Sequence, residues 1–128
     1  MTAKGANYKT RSQLGGRGED LAAGFLKAKG YVLLERNFRS PVGEIDIVAR
    51  EAQTLVFVEV KTRETDGFGS AKWAIDQKKR RKVSMAALAY LNKKGWGEKP
   101  ARFDVVAVDM TQGGPRIELY RNAFDLAY

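Results

Sequence analysis

The chain has 128 residues and contains no cysteine and no histidine. Without cysteine, disulfides and thiolate metal sites are excluded, and the chain fits a reducing compartment. Without histidine, zinc sites and Ser-His or Cys-His pairs lose their usual components. Any catalytic chemistry must therefore use carboxylates, Lys, Tyr, Ser or Thr.

Long apolar runs are missing as well. The longest, residues 85–91, is far shorter than the roughly 18 residues that a membrane span needs. Residues 1–13 are polar and have no apolar core, so we expect no secretory leader there. These features predict a cytoplasmic protein without a membrane span. No membrane partner is expected, because the basic helix at about 71–94 lacks the broad Trp/Phe/Leu face of an interfacial helix.

Positive charge dominates, because 23 Lys and Arg against 15 Asp and Glu give a formal charge of +8. Such an excess favours a polyanionic partner, either nucleic acid or an anionic membrane surface, although simple solubility explains charge alone equally well. The hydrophobic content of 44% suits an ordinary core. We expect residues 1–14 to form a flexible tail and residues 15–128 a single domain.

Apolar periodicity predicts the element order α-β-β-β-α-β-β. A strand, a long helix and another strand in succession indicate a crossover, and therefore an α/β fold with a central mixed sheet flanked by helices. Asn122 is placed to cap a last short helical turn. The predicted elements are a helix from about Gly16 that ends before Gly30, a strand at 31–38, a hairpin at 43–63, a flexible connection at 65–70, a helix at about 71–94, and strands at 102–110 and 117–120.

The hairpin at 43–63 carries charges among its apolar residues. If its turn is centred between Ala52 and Gln53, Asp46 lies opposite Glu59, and Lys61 shares a face with Glu59. Charges on a largely buried sheet cost stability, and a buried ion pair is rarely favoured over apolar packing for stability alone. A structural ion pair of Lys61 with either acid is nevertheless the alternative to a functional site.

Asp46, Glu59 and the peptide carbonyl of Val60 would offer the hard oxygen donors that Mg²⁺ prefers. Lys61 could position or help deprotonate a metal-bound water, or offset charge that develops on a phosphate. Inside a protein of charge +8, this combination points to phosphodiester hydrolysis.

Five consecutive cations, residues 78–82, lie in the second predicted helix and must spread around it. Lys79 follows the apolar line of Val83, Ala86 and Tyr90, which predicts that it faces inward. Glu19 lies at the edge of the apolar stripe of the first helix. Its position alone favours an electrostatic interaction with the positive N-terminus of that helix over a role beside Asp46 and Glu59.

Several motifs together resemble a known family. An Asp followed after about a dozen residues by Glu-Xaa-Lys resembles the signature of PD-(D/E)XK nucleases. Gly-Glu-Ile-Asp-Ile-Val, Val-Phe-Val-Glu-Val-Lys-Thr-Arg and Arg-Phe-Asp-Val-Val-Ala-Val resemble, more narrowly, the bacterial YraN family, over most of Gly15 to Met110. The resemblance implies a restriction-endonuclease-like fold, similar to that of archaeal Holliday-junction resolvases. One departure is Ile45, which stands where the signature has proline.

The resemblance also implies roles for individual residues. Asp46 and Glu59 match the metal-binding acids, with Mg²⁺ as cofactor and Mn²⁺ as its substitute, and Lys61 matches the catalytic lysine. Glu19 matches an acid that resolvase-like proteins supply from the first helix, which reverses the interpretation from its position alone. Asp104 is expected to have a structural role that ties the last strand to a neighbour, with a functional role as the alternative. The residues expected to hold a nucleic-acid backbone are Arg63, Lys78, Lys79, Arg80, Arg81 and Lys82, together with the 65–70 connection.

The sequence thus favours a metal-dependent nuclease that acts on DNA, including branched or other non-standard structures. A non-catalytic nucleic-acid-binding module with the same fold is the alternative. Because related nucleases often pair to cut two strands, a homodimer is a further expectation of the resemblance.

Overall fold

The computed structural model describes residues 11–64 and 76–125, with side chains from residue 16 onward. The predicted order of elements is confirmed. The elements are α1 (Arg11–Ala28), β1 (Val32–Ser40), β2 (Gly43–Glu51), β3 (Thr54–Glu64), α2 (Gln77–Lys94), β4 (Ala101–Thr111) and β5 (Gly114–Phe124). The expected connection at 65–70 lies outside the described residues.

The five strands form one mixed sheet in the order β1-β2-β3-β4-β5. β3 and β4 run parallel, and the other neighbouring pairs are antiparallel. Parallel neighbours need a crossover connection, and α2 lies between these two strands in the chain. In the β2–β3 hairpin Arg50 pairs with Leu55, which confirms the predicted centre between Ala52 and Gln53.

An apolar core lies on each face of this sheet, because successive strand residues point to opposite faces. α2 covers the first core, formed by Phe38, Ile45, Val48, Phe57, Val83, Ala86, Ala87, Tyr90, Phe103, Val105 and Phe124. α1 covers the second, formed by Ala22, Ala23, Leu26, Tyr31, Ile47, Ala49, Val56, Val58, Val106 and Val108. Residues 55–58 of β3 are therefore buried on both faces, and Glu59 follows directly after them.

Both helices differ from their predicted starts. α1 begins at Arg11, earlier than the predicted Gly16, so the helix includes residues 11–14. α2 begins at Gln77 and not near residue 71, because Asp76 is extended and accepts a hydrogen bond from the Lys79 N–H at 2.8 Å. Such an N-cap satisfies a backbone donor that the first turn leaves open. The predicted C-terminal end is confirmed, since Gly95 adopts the left-handed conformation (φ 71°).

The predicted helical turn after Asn122 is wrong where the structure describes it. β5 continues to Phe124, and Asn122 lies within it at φ 52°, next to a register irregularity opposite Phe103 and Val105. Its N–H donates to the buried Asp104 carboxylate at 2.9 Å. Asparagine tolerates positive φ in bulges as readily as it caps helices, so its presence alone does not separate the two.

Gly18 lets α1 approach β3 closely. A Cβ at residue 18 would overlap the Thr62 hydroxyl and lie 2.8 Å from Thr62 Cβ. We expect Gly18→Ala to lower the free energy of unfolding by about 1–3 kcal/mol, as overpacking does elsewhere, when measured by urea titration.

Gly24 in the same helix provides the matched control, because a Cβ there would meet no atom within 4 Å. Gly24→Ala should stabilise the protein by up to about 1 kcal/mol through helix propensity. Equal effects of the two substitutions would contradict the close packing of α1 on β3.

Candidate active site

Two carboxyl groups meet where β2 begins and the buried part of β3 ends. The paired part of β2 and β3 ends at Ile47 and Val58, and Asp46 and Glu59 follow directly beyond this pair. The negative charge of Asp46 raises the pKa of Glu59, so the two carboxyl groups lie near each other, as predicted. The Val60 N–H donates to Asp46 Oδ2 at 2.8 Å, which fixes the Asp46 side chain against β3. Glu59 is only 5% exposed. The fold therefore holds two acids together at the border of its core.

This arrangement shifts the titration of both acids. Burial raises the pKa of Glu59 from 4.5 to about 7; the negative charge of Asp46 adds to the rise, and the ammonium of Lys79 opposes it. Burial also raises the pKa of Asp46, and the hydrogen bond from Val60 opposes that rise. Both acids are thus held in surroundings that disfavour two negative charges and favour an added cation.

Lys79 supplies the positive charge next to Glu59. Its Nζ lies 3.2 Å from Glu59 Oε2, and Val83, Ala86 and Tyr90 are buried on the same line of α2, so its predicted inward direction is confirmed. Burial lowers the pKa of Lys79, but Glu59, Asp46 and Glu44 together outweigh this effect and leave the pKa raised. Glu59 and Lys79 therefore stabilise each other's charged forms.

Lys61 lies two residues beyond Glu59 on β3 and is partly exposed. Its positive charge lowers the pKa of Glu59, which places its ammonium within electrostatic reach of the acid pair. Among the described residues, Lys61 forms no ion pair with Asp46 or Glu59, so the structure does not support the alternative of a structural Lys61 pair.

Glu19 reaches the site from α1 at the opposite face of the sheet. Burial raises its pKa, and the negative charge of Asp46 raises it further, so the two carboxyl groups influence each other. Arg36 Nη2, however, lies 3.8 Å from Glu19 Oε1 and 2.9 Å from Asp20 Oδ1. Within the described ranges, no three acidic side chains are placed to hold one ion. Glu19 therefore lies near Asp46 and forms an ion pair with Arg36.

The predicted nucleic-acid-binding cations separate into groups. Lys78, Arg81 and Lys82 are exposed on α2, whereas Lys79 faces the acids. The guanidinium of Arg80 lies 5.8 Å from the centre of the Phe124 ring. Arg63 pairs with the buried Asp109, with Nε 3.0 Å from Oδ1. Only part of the predicted set therefore faces solvent.

Two residues near the site were not singled out in the sequence. Glu44 raises the pKa of both Asp46 and Lys79 and stands two residues before Asp46 in β2. Its place in the charged start of the hairpin was a signal that could have identified it. Arg36 lies within an ordinary strand pattern, and its contact with Glu19 depends on how α1 packs against β1, for which the local sequence holds no signal.

The sequence of this chain matches a known protein family. The sequence model of a family described as "Uncharacterised protein family UPF0102" matches residues 18–108. The chain belongs to the UPF0102 family. The matched range contains every residue of the acid site, from Glu19 to Lys79.

UPF0102 relatives match nearly the whole chain. A protein of Geobacter sulfurreducens is 53% identical over 116 residues, covering 90% of this chain and 91% of its own. A protein of Desulfosudis oleivorans is 50% identical over 115 residues, covering 90% and 92%. One of Geotalea daltonii is 46% identical over 126 residues, covering 98% and 99%. The assignment to UPF0102 agrees with the YraN-like resemblance of the motifs.

The membrane expectation can be checked in part. In the stretches that the structure describes, neither helix is long and apolar enough to cross a membrane.

Proposed function

We propose that this UPF0102 protein is a metal-dependent endonuclease of the restriction-endonuclease-like PD-(D/E)XK class. Its substrate would be DNA, including branched or other non-standard structures, with Mg²⁺ as cofactor and Mn²⁺ as substitute. One observation carries the proposal: Asp46 and Glu59 are held together at the border of the core, with pKa values raised by burial. Two such acids cost stability unless a cation joins them, which favours a functional reason for the pair.

The donor set fits a hard divalent cation. Asp46 uses one oxygen to accept the Val60 N–H, and its second oxygen and the Glu59 carboxylate would supply charged ligands. In an extended strand the N–H and C=O of one residue point to the same side. The Val60 carbonyl is thus expected to face the side of Asp46, as a third oxygen donor. Glu19 would complete the set only after it leaves Arg36.

The bound ion would supply Lewis-acid activation of water and charge neutralisation at phosphorus. The protein's own residues have separate tasks in this proposal. Asp46 and Glu59 would hold the ion, and the ammonium of Lys61 beside them would donate to a phosphate oxygen. Lys79 neutralises Glu59 in the free protein, and the Lys79 ammonium can turn to a phosphate once Glu59 binds the ion. The exposed cations of α2 would bind the neighbouring phosphates.

The experiment combines binding and cleavage. Isothermal titration calorimetry with Mn²⁺ should show binding to the wild type, and incubation with Mg²⁺ or Mn²⁺ should cleave at least one of junction, flap, single-stranded and duplex DNA. The double variant Asp46→Ala/Glu59→Ala should lose cleavage by about 10³-fold or more, since it lacks the metal ligands.

Two results would contradict the proposal. Cleavage that survives the double substitution would remove the site from the reaction. Salt-sensitive nucleic-acid binding, without Mn²⁺ binding or cleavage of any substrate, would instead identify the non-catalytic module. Analytical ultracentrifugation with and without DNA would test the expected homodimer in the same preparations.

A further inference from the structure

Val42 and Met85 are large apolar residues that remain exposed, at 45% and 37%. They line one shallow cavity of about 230 Å³ together with Lys78, Arg81 and Lys82. We call these five residues the turn–helix surface. Apolar residues scattered singly on a surface are ordinary, but here two adjoin and three cations surround them. The combination is suited to a ligand that is both apolar and polyanionic.

The turn that carries Val42 is held firmly in place. The Ser40 hydroxyl donates to the Gly43 carbonyl at 3.0 Å, and the Val42 N–H donates to the Ser40 oxygen at 3.3 Å. A Cβ at Gly43 would lie 2.5 Å from the Lys82 carbonyl oxygen, so the turn backbone rests directly on α2. The surface is therefore formed before any ligand binds, which lowers the entropic cost of binding.

The turn–helix surface lies beside the acid site. Lys78, Lys82 and Met85 follow each other at helical spacings of four and three residues, so they share one outer face of α2. Lys79 on the same turn points inward to Glu59. Met85 is about 9 Å from Lys79 along the helix at 1.5 Å per residue, and Val42 is about 13 Å from Asp46 along the strand. These distances correspond to about three to four base steps of a stacked DNA strand at 3.4 Å each, and to fewer steps of an unstacked strand.

We infer that the turn–helix surface binds unpaired bases of a nucleic-acid strand next to the point of cleavage. The three cations would bind successive phosphates, while Val42 and Met85 would contact the faces of bases. In a regular duplex these faces are stacked on each other, so an apolar contact requires unpaired or unstacked bases. The inference rests on the proposed nuclease function and adds a recognition surface for single-stranded segments. A continuous phosphate chain also complements a protein of charge +8.

The test measures affinity for one oligonucleotide sequence in single-stranded and in fully paired form, by fluorescence anisotropy in EDTA, which prevents cleavage. The variant Val42→Ser/Met85→Ser should bind the single strand about 10-fold more weakly and the duplex less than about 2-fold more weakly. Its salt dependence should be unchanged, because no charge is removed. Lys82→Ala should weaken binding of both forms and reduce the salt slope by about one.

Leu34→Ser is the matched control, because Leu34 is also an exposed apolar residue, at 39%, but lies on β1 outside the turn–helix surface. It should leave both affinities unchanged. The inference is overturned if the double variant keeps the affinity of the wild type for single strands, or if Leu34→Ser reduces it equally. Binding of neither form by the wild type also overturns it and would point to a protein partner. Mn²⁺ calorimetry of the same variants distinguishes the two proposals. Normal Mn²⁺ binding together with unchanged single-strand affinity contradicts only the turn–helix surface, whereas absence of Mn²⁺ binding by the wild type contradicts the acid site.

Discussion

Glu59→Gln is expected to stabilise the metal-free protein by about 1–3 kcal/mol at pH 8 and to weaken Mn²⁺ binding by about 100-fold. The Glu59 carboxyl has a pKa of 4.5 in its ordinary state and about 7 in the folded protein. Glutamine keeps the size and the hydrogen-bonding capacity of the side chain but carries no charge. It therefore removes the cost of burying a second negative charge beside Asp46, together with a metal ligand.

The pH dependence follows from the direction of this shift. Below about pH 4.5 the carboxyl is protonated in both states, and its contribution to stability is fully present. As the pH rises through about 7, the folded protein must lose a proton that it binds more tightly than the unfolded chain does, so this contribution is lost. The advantage of Glu59→Gln over the wild type should thus grow between about pH 4.5 and 7 and then level off.

Thermal and urea unfolding at several pH values, with and without Mn²⁺, measure both effects. Mn²⁺ should stabilise the wild type and leave the variant nearly unchanged. Glu44→Gln is the control, because Glu44 is an exposed acid in the same strand and its replacement should change stability by less than about 0.5 kcal/mol. A variant that is less stable than the wild type at pH 8 would show that the Glu59–Lys79 pair outweighs the burial cost.

Asp104→Ala is expected to cost about 3–5 kcal/mol of stability, because it leaves the buried Tyr31 hydroxyl and the largely buried Arg102 guanidinium without this acceptor. Asp104 is fully buried. Its carboxylate accepts from the Tyr31 hydroxyl, from Arg102 Nε and from the Asn122 N–H, each at 2.9 Å. It pairs with Val58, whose side chain lies in the core under α1. The expected structural role of Asp104, on the face away from the acid pair, agrees with these contacts.

Urea titration measures this loss, and two further variants make it interpretable. Tyr31→Phe removes the donor of one of the three residues that bind Asp104 and should cost about 1 kcal/mol, which remains measurable if Asp104→Ala does not fold. Asp109→Ala removes a carboxylate that is also buried, but its partner Arg63 is 35% exposed and can be rehydrated. A loss from Asp109→Ala as large as that from Asp104→Ala would contradict the importance of the three-donor cluster.

Much of the fold could be predicted because its signals are local. Strand alternation and the short polar break predicted the hairpin register, and this register brings Asp46 and Glu59 to the same end of the hairpin. Helical spacing alone showed that Lys79 faces inward. The two helix starts could not be predicted, because Asp76 suits the predicted helix as well as the N-cap that it forms, and because residues 11–14 carry no clear apolar period.

The long-range partners could not be predicted in the same way. The pairing of Arg63 with Asp109 depends on the parallel register of β3 and β4, and these residues are 46 positions apart. Asn122 could cap a helix or occupy a bulge. The hydrogen bond from its N–H to the buried Asp104 carboxylate stabilises the bulge. Where several local structures suit the same residue, the partner that tertiary packing supplies decides between them.

The sequence by itself determined that two acids and a lysine share one end of a hairpin, since alternation and turn position are properties of the chain. Only the tertiary structure decided that Lys79 is the ion-pair partner of Glu59, that Arg36 engages Glu19, and that Lys78, Arg81 and Lys82 surround Val42 and Met85. The physical reason is that these partners are far apart in the sequence. Their side chains meet only after the helices and strands that carry them have packed together.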